Sequence, residues 1–178
     1  MPKTINRPAA EEYPDVFRDY VNLLPAEGDV LYLLEKQAVD LRHMFKNITD
    51  ARSEETYEEG KWTIKEVLQH LIDSERIFSY RALCISRGEP AQLPGFDEKL
   101  YAFNSLANMR PLDTMLEEYE LVRRSSLALF RSFTSEMLDN TGIANGRHMS
   151  VRGIIHVLAG HEQHHFNILQ ERYLRRKS

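Results

Sequence analysis

Three of the chain's seven histidines fall in the run Gly160-His161-Glu162-Gln163-His164-His165, and two of them, His161 and His165, are four residues apart. In a helix, which turns about 100° per residue, that spacing stacks both imidazoles on one face, one turn apart. A single metal ion could then take a nitrogen from each. On a wheel of this segment Val151, Ile154, Val157, Leu158, Ile168 and Leu169 form one broad apolar stripe, and both histidines fall inside it. A polar group buried without a partner costs about 1 to 3 kcal/mol. Either each ring finds a hydrogen bond in the core, or the two share a ligand.

His70 supplies the third ligand. It lies among Val67, Ser74, Ile77 and Phe78, on the apolar side of an earlier helical stretch, so two separate helices direct imidazole into the interior. Three neutral imidazoles leave a coordination position for water or substrate, the open arrangement of catalytic rather than structural zinc.

The late run also satisfies H-E-x-x-H, the pattern in which two zinc-binding histidines flank a glutamate general base in metalloproteases. Thirteen residues follow His165, with Glu171 the only acidic one, and no sheet is predicted to shape a peptide cleft. The missing ligand is therefore sought upstream, and Glu162 is not expected to be a base. His164, at the edge of the stripe, is expected to support the site. His156 points the other way, His148 lies in a loop and His43 in a charged stretch, so these are expected at the surface or in supporting places.

Four amphipathic helices must carry these residues. The first begins at Asp29, with Val30, Leu33, Leu34, Ala38, Leu41, Met44 and Phe45 on one face, and fades near Asn47. The second starts at a capping box, Thr63 with Glu66, beside a Trp62–Val67 staple, and runs to about Arg87. The third opens on Pro111, at its first position, and carries Leu112, Met115, Leu116, Tyr119, Val122, Leu127, Leu129 and Phe130. Its run from Glu117 to Arg124 reads as a solvated face, with Glu120 and Arg124 spaced for an ion pair. The fourth is capped by Ser150 and reaches Leu174. A short helix precedes the four, behind a flexible arm over residues 1–12. The connection from Gly88 to Arg110 is too long for a tight turn, so it is expected to cross the length of a bundle, and its Asp97, Glu98 and Tyr101 are candidates for the site's rim. No strand alternation long enough for a sheet is present. The predicted fold is all-α: one four-helix bundle domain spanning 1–178.

Composition narrows the function classes. Hydrophobic residues make up 42% of the chain and charged residues 28%, which fits an ordinary globular domain. A net charge of -4 with interleaved signs offers no basic stripe for nucleic acid. The run Arg175-Arg176-Lys177 reads as a helix-closing cluster that complements the macrodipole. No apolar run approaches the ~20 residues of a membrane span, and no signal-peptide core is seen, so a cytoplasmic location is expected. Cys84, the single cysteine, excludes internal disulfides and multi-cysteine zinc sites and is expected to be a buried structural thiol.

The helix opening Lys61-Trp62-Thr63-Ile64-Lys65-Glu66-Val67-Leu68-Gln69-His70-Leu71, with Asp73, Glu75 and Arg76 after it, and the late Gly160-His161-Glu162-Gln163-His164-His165 together resemble the DinB/YfiT-like superfamily of metal-dependent enzymes. The likeness runs from about Val30 to Leu174. It implies a four-helix bundle with a long crossover between helices two and three, and a divalent metal, zinc or nickel, on His70, His161 and His165. It also implies a small-molecule substrate, with hydrolysis or S-transfer from a low-molecular-weight thiol as the reaction, and a homodimer. A non-catalytic metal-binding or dimerising protein is the competing expectation.

Overall fold

A computed structural model describes residues 4–174, so the basic run from Arg175 lies outside the described residues. Eight helices and one hairpin appear in order: α1 (Arg18–Asn22), α2 (Val30–Phe45), α3 (Asp50–Ser53), α4 (Ile64–Ser86), α5 (Glu98–Asn104), α6 (Leu112–Arg131), α7 (Ser135–Asp139), β1 (Thr141–Ala144), β2 (Arg147–Ser150) and α8 (Val151–Ile168). The long helices α2, α4, α6 and α8 form the bundle. α8 continues as a wider π helix over Leu169–Leu174.

The predicted starts are met by the expected side chains. Thr63 and Glu66 exchange both bonds of their capping box, and Ser150 accepts the Gly153 amide at the head of α8. Asp29 caps α2 through the Leu31 amide. Pro111 is the residue before the first turn of α6 rather than its first position.

Interhelical bonds fix the directions. From α4, Gln69 meets Arg110, Arg76 meets Glu118, and Ser79 meets Ser126; both partners advance together, so α4 and α6 are parallel. Glu35 pairs with Arg131 and Arg42 with Glu120, which makes α2 antiparallel to α6. The glutamate at 120, expected to pair with Arg124, is thus taken by another helix, and Arg124 reaches only its backbone carbonyl. α4 and α8 run in opposite senses, with Gly142, just ahead of α8, against Ile85 near the end of α4. The order is up, down, down, up, and α2 and α4 each pack mainly on α6 and α8. Two consecutive parallel helices need a return path the length of the bundle, which the connection holding α5 supplies.

Two expectations are corrected. The turn-rich segment before α8 is a two-stranded antiparallel hairpin, with Thr141 opposite Ser150 and Ala144 opposite Arg147. Its turn is Asn145-Gly146, both at positive φ, the sequence signature of a tight type I′ hairpin. The supposed flexible arm is packed over its described part: Ile5 is 1% exposed, and Arg7 donates to the carbonyls of Val21, Leu24 and Pro25. Cys84, expected to be buried, is half-buried and packs against the core.

The apolar interior is divided. One cluster gathers Leu34, Phe78, Ile85, Phe130, Ile154 and Leu158; the other holds Leu41, Leu68, Ile72, Met115, Phe166 and Leu169. The buried polar residues of the bundle include Gln37 on α2, His70, Ser74 and Glu75 on α4, Arg123 on α6, and His161 and Glu162 on α8. Among the described residues no helix is long and apolar enough to cross a membrane.

Candidate metal centre

His70 stands in the second turn of α4, and His161 and His165 on successive turns of α8. Antiparallel packing brings them face to face. The three ring centroids are 4.6 to 4.9 Å apart, and their donor nitrogens all lie within 4.8 Å of one another. The Nε2 atoms of His70 and His161 are 2.9 Å apart. All three predicted ligands are therefore brought together.

Their surroundings are apolar and aromatic. Trp62 lies 4.9 Å from the His70 ring, Phe78 6.2 Å and Tyr20 5.5 Å from that of His161. Burial pushes the imidazolium form of each out of range: His70 falls to about 4, and His165 to about 3 with help from the charges of His70 and His164. His161 is pushed well below the usual histidine range, by burial and then by His165, His70 and His164. All three are neutral near pH 7, the form that binds metal.

The fit can be tested on one atom. A neutral imidazole has one N–H and one lone pair, and the two Nε2 atoms can share a single hydrogen bond. His161 Nδ1 is then left buried without a partner among the described residues. Among the described residues no carboxylate answers the three rings, so these are nitrogen donors facing one another rather than a satisfied polar cluster. This donor set suits a divalent transition-metal ion, with the three ligand atoms within 4.8 Å of one another.

Glu162, between the two histidines in sequence, serves a different structure. Its carboxylate accepts from the Tyr119 hydroxyl and from the Arg123 guanidinium. Arg123 also makes a two-pronged pair with Glu75, at 2.8 and 2.9 Å, and donates to the Leu34 carbonyl at 2.6 Å. Burial opposes the charge on Arg123, yet Glu162, Tyr119 and Glu75 hold it firmly protonated. Burial and the neighbouring Glu75 raise the Glu162 carboxyl. Both Glu162 oxygens are engaged, so the protease reading loses its base. Arg123, in a run expected to be solvated, is 1% exposed.

The remaining candidates are distributed as follows. A cleft of about 480 Å³ opens beside His165 and is lined by Lys61, Trp62, Glu98, Lys99 and Tyr173 among others. Of the three rim candidates, Glu98 lines it; Asp97 instead caps α5, and Tyr101 packs on Phe96. His164 is half-buried, its ring 5.2 Å from that of Tyr20. His43 and His148 are exposed as expected. His156 is 4% exposed, bonded through Nδ1 to the Arg152 carbonyl, because the N-terminal segment covers the side of α8 that the wheel left to solvent. Tyr20 and the Arg123 network were not anticipated. Arg123 had a signal, since it lies four residues after Tyr119 and four before Leu127, in the buried stripe of α6.

Fold and site together define a class: an up-down-down-up helix bundle whose divided core holds a centre of three neutral histidines. The sequence profile of the DinB superfamily matches residues 33–169, and the chain belongs to that superfamily. A candidate metal-dependent hydrolase of Oceanobacillus iheyensis is 29% identical over 121 residues, 67% of this chain and 69% of the relative. YfiT of Bacillus subtilis, described as a probable metal-dependent hydrolase with an unusual four-helix bundle topology, shares the fold at a TM-score of 0.73 and 17% identity, covering 96% of this chain and 93% of YfiT.

Proposed function

We propose that the protein is a metal-dependent hydrolase of a small molecule, with one zinc or nickel ion held by His70, His161 and His165. The observation that carries this reading is the centre itself: three enclosed, neutral imidazoles from two helices, with donor atoms within 4.8 Å. The descriptions of the two relatives agree with it. A divalent ion there supplies a Lewis acid that polarises a substrate carbonyl and lowers the pKa of water towards about 7.

The chain's own residues do the rest. Burial keeps the ligands deprotonated, and the rings of Trp62, Phe78 and Tyr20 hold them in place. The cleft beside His165 admits a small molecule past Lys61, Lys99 and Glu98. Glu162 is committed to Arg123 and Tyr119 and moves no proton in the reaction.

Elemental analysis of protein purified without a histidine tag, then reconstituted, should find about one equivalent of metal, and less than about a tenth in a His70→Ala, His161→Ala double variant. Ester and amide substrates, and thiols paired with electrophiles, are then screened with the loaded protein. Hydrolysis that depends on the histidines supports the proposal, and thiol transfer alone replaces it with the transferase form. Turnover that survives loss of the histidines refutes it, and metal without any turnover points to a binding protein.

A further inference from the structure

The wall of the centre includes a residue from outside the segment that the family profile matches, which begins at residue 33. Tyr20, on α1, lies with its ring 5.5 Å from that of His161 and 5.2 Å from that of His164. Its position is fixed by the backbone. A Cβ placed on Gly160 would collide with the Tyr20 carbonyl oxygen, so the glycine beside His161 is what lets α1 lie directly on α8. One turn further from the site, Arg7 ties the end of α1 through the Val21, Leu24 and Pro25 carbonyls.

The phenol oxygen is the unexplained part. Two other tyrosines of the interior spend their hydroxyls on structure, Tyr119 on Glu162 and Tyr173 on the Trp62 carbonyl. Tyr20 makes no side-chain hydrogen bond among the described residues, although it is only half-exposed. Ring packing alone would be served by phenylalanine. The hydroxyl also lies within electrostatic reach of Glu98, which lines the cleft that His165 opens into.

We propose that Tyr20 is a catalytic residue, whose hydroxyl donates a hydrogen bond to the oxygen of a substrate or inhibitor bound at the open position of the His70/His161/His165 centre. This rests on the metal-site reading above. The donor is most useful as negative charge gathers on a carbonyl oxygen during hydrolysis, where one well-placed donor changes the rate by about a hundredfold to a thousandfold in favourable cases. No proton is transferred: the phenol keeps its hydrogen throughout.

The test uses the zinc-reconstituted protein and acetohydroxamate, an oxygen-donor ligand for the metal, followed by calorimetry in wild type, Tyr20→Phe and His165→Ala. Tyr20→Phe should retain zinc stoichiometry and thermal midpoint while acetohydroxamate affinity falls about fivefold to tenfold, the loss of one hydrogen bond. With any ester that the protein turns over, kcat should fall by at least about tenfold with KM little changed. Equal hydroxamate affinity in wild type and Tyr20→Phe overturns the proposal and leaves Tyr20 a packing residue. Hydroxamate binding that survives His165→Ala overturns the metal reading beneath it, and the Tyr20 assignment with it.

Discussion

His161 and Glu162 are neighbours on α8, both buried, and they belong to opposite kinds of polar interior. The Glu162 side is charged and saturated: one guanidinium, two carboxylates, a phenol and a backbone carbonyl meet with every charged group paired. The His161 side is neutral and incomplete, with three imidazoles turned towards one another and one nitrogen unanswered. A complete network locks all four long helices in register and has nothing left to offer a ligand. An incomplete one retains its donors at some cost in stability, and that is the property a binding site needs.

This contrast is most easily broken at Arg123. Replacing it with methionine leaves Glu75 and Glu162 buried without their cation, and urea denaturation should show a loss of about 3 to 5 kcal/mol. A loss below about 1 kcal/mol would mean that the network is hydrated and not the lock described here.

Acid titration separates the two sides by sign. His70 and His156, lowered by burial to about 4, bind protons in the unfolded chain before the folded one. Their contribution is complete above the unfolded value near 6.5 and is lost as pH falls from there towards 4, by roughly 3 kcal/mol for a fully buried ring. Glu162, raised by burial, works in the opposite sense and favours the folded state in acid. Metal-free protein should therefore lose urea stability steeply between pH 6.5 and 4, and His70→Gln should flatten that slope. An unchanged slope would assign the acid sensitivity elsewhere.

The smallest expected effect lies at the seam between α1 and α8. Gly160→Ala should displace α1 and cost about 1 to 3 kcal/mol in urea denaturation. Near-neutral stability would show that Tyr20 is not held as closely as the packing indicates.

The parts of this arrangement that were legible in the sequence are those written in local spacing. The capping box of α4, the i, i+4 histidine pair and the apolar stripe around His70 each need only one helix to be recognised. The direction of α6 relative to α4 was implied by a connection too long for a turn. Arg123 was misread because charge outweighed position: its place in the stripe is visible, but the two glutamates that make burial tolerable come from other helices. The hairpin was too short for alternation, and its Asn145-Gly146 turn was the better signal. Tyr20 could not be reached from any local pattern, since what matters is a glycine 140 residues away in sequence (160 minus 20).

α8 packs against α1, α2 and α4, and from Val151 to Glu162 all but one of its residues are buried. Among the four long helices it also comes last in order. During synthesis, α2, α4 and α6 emerge before the element that covers much of their inward apolar surface. The nascent chain must therefore carry exposed hydrophobic helices until α8 arrives, the condition in which growing chains aggregate or engage chaperones. The helix that carries two of the three candidate ligands is thus also the one that ends the period of risk.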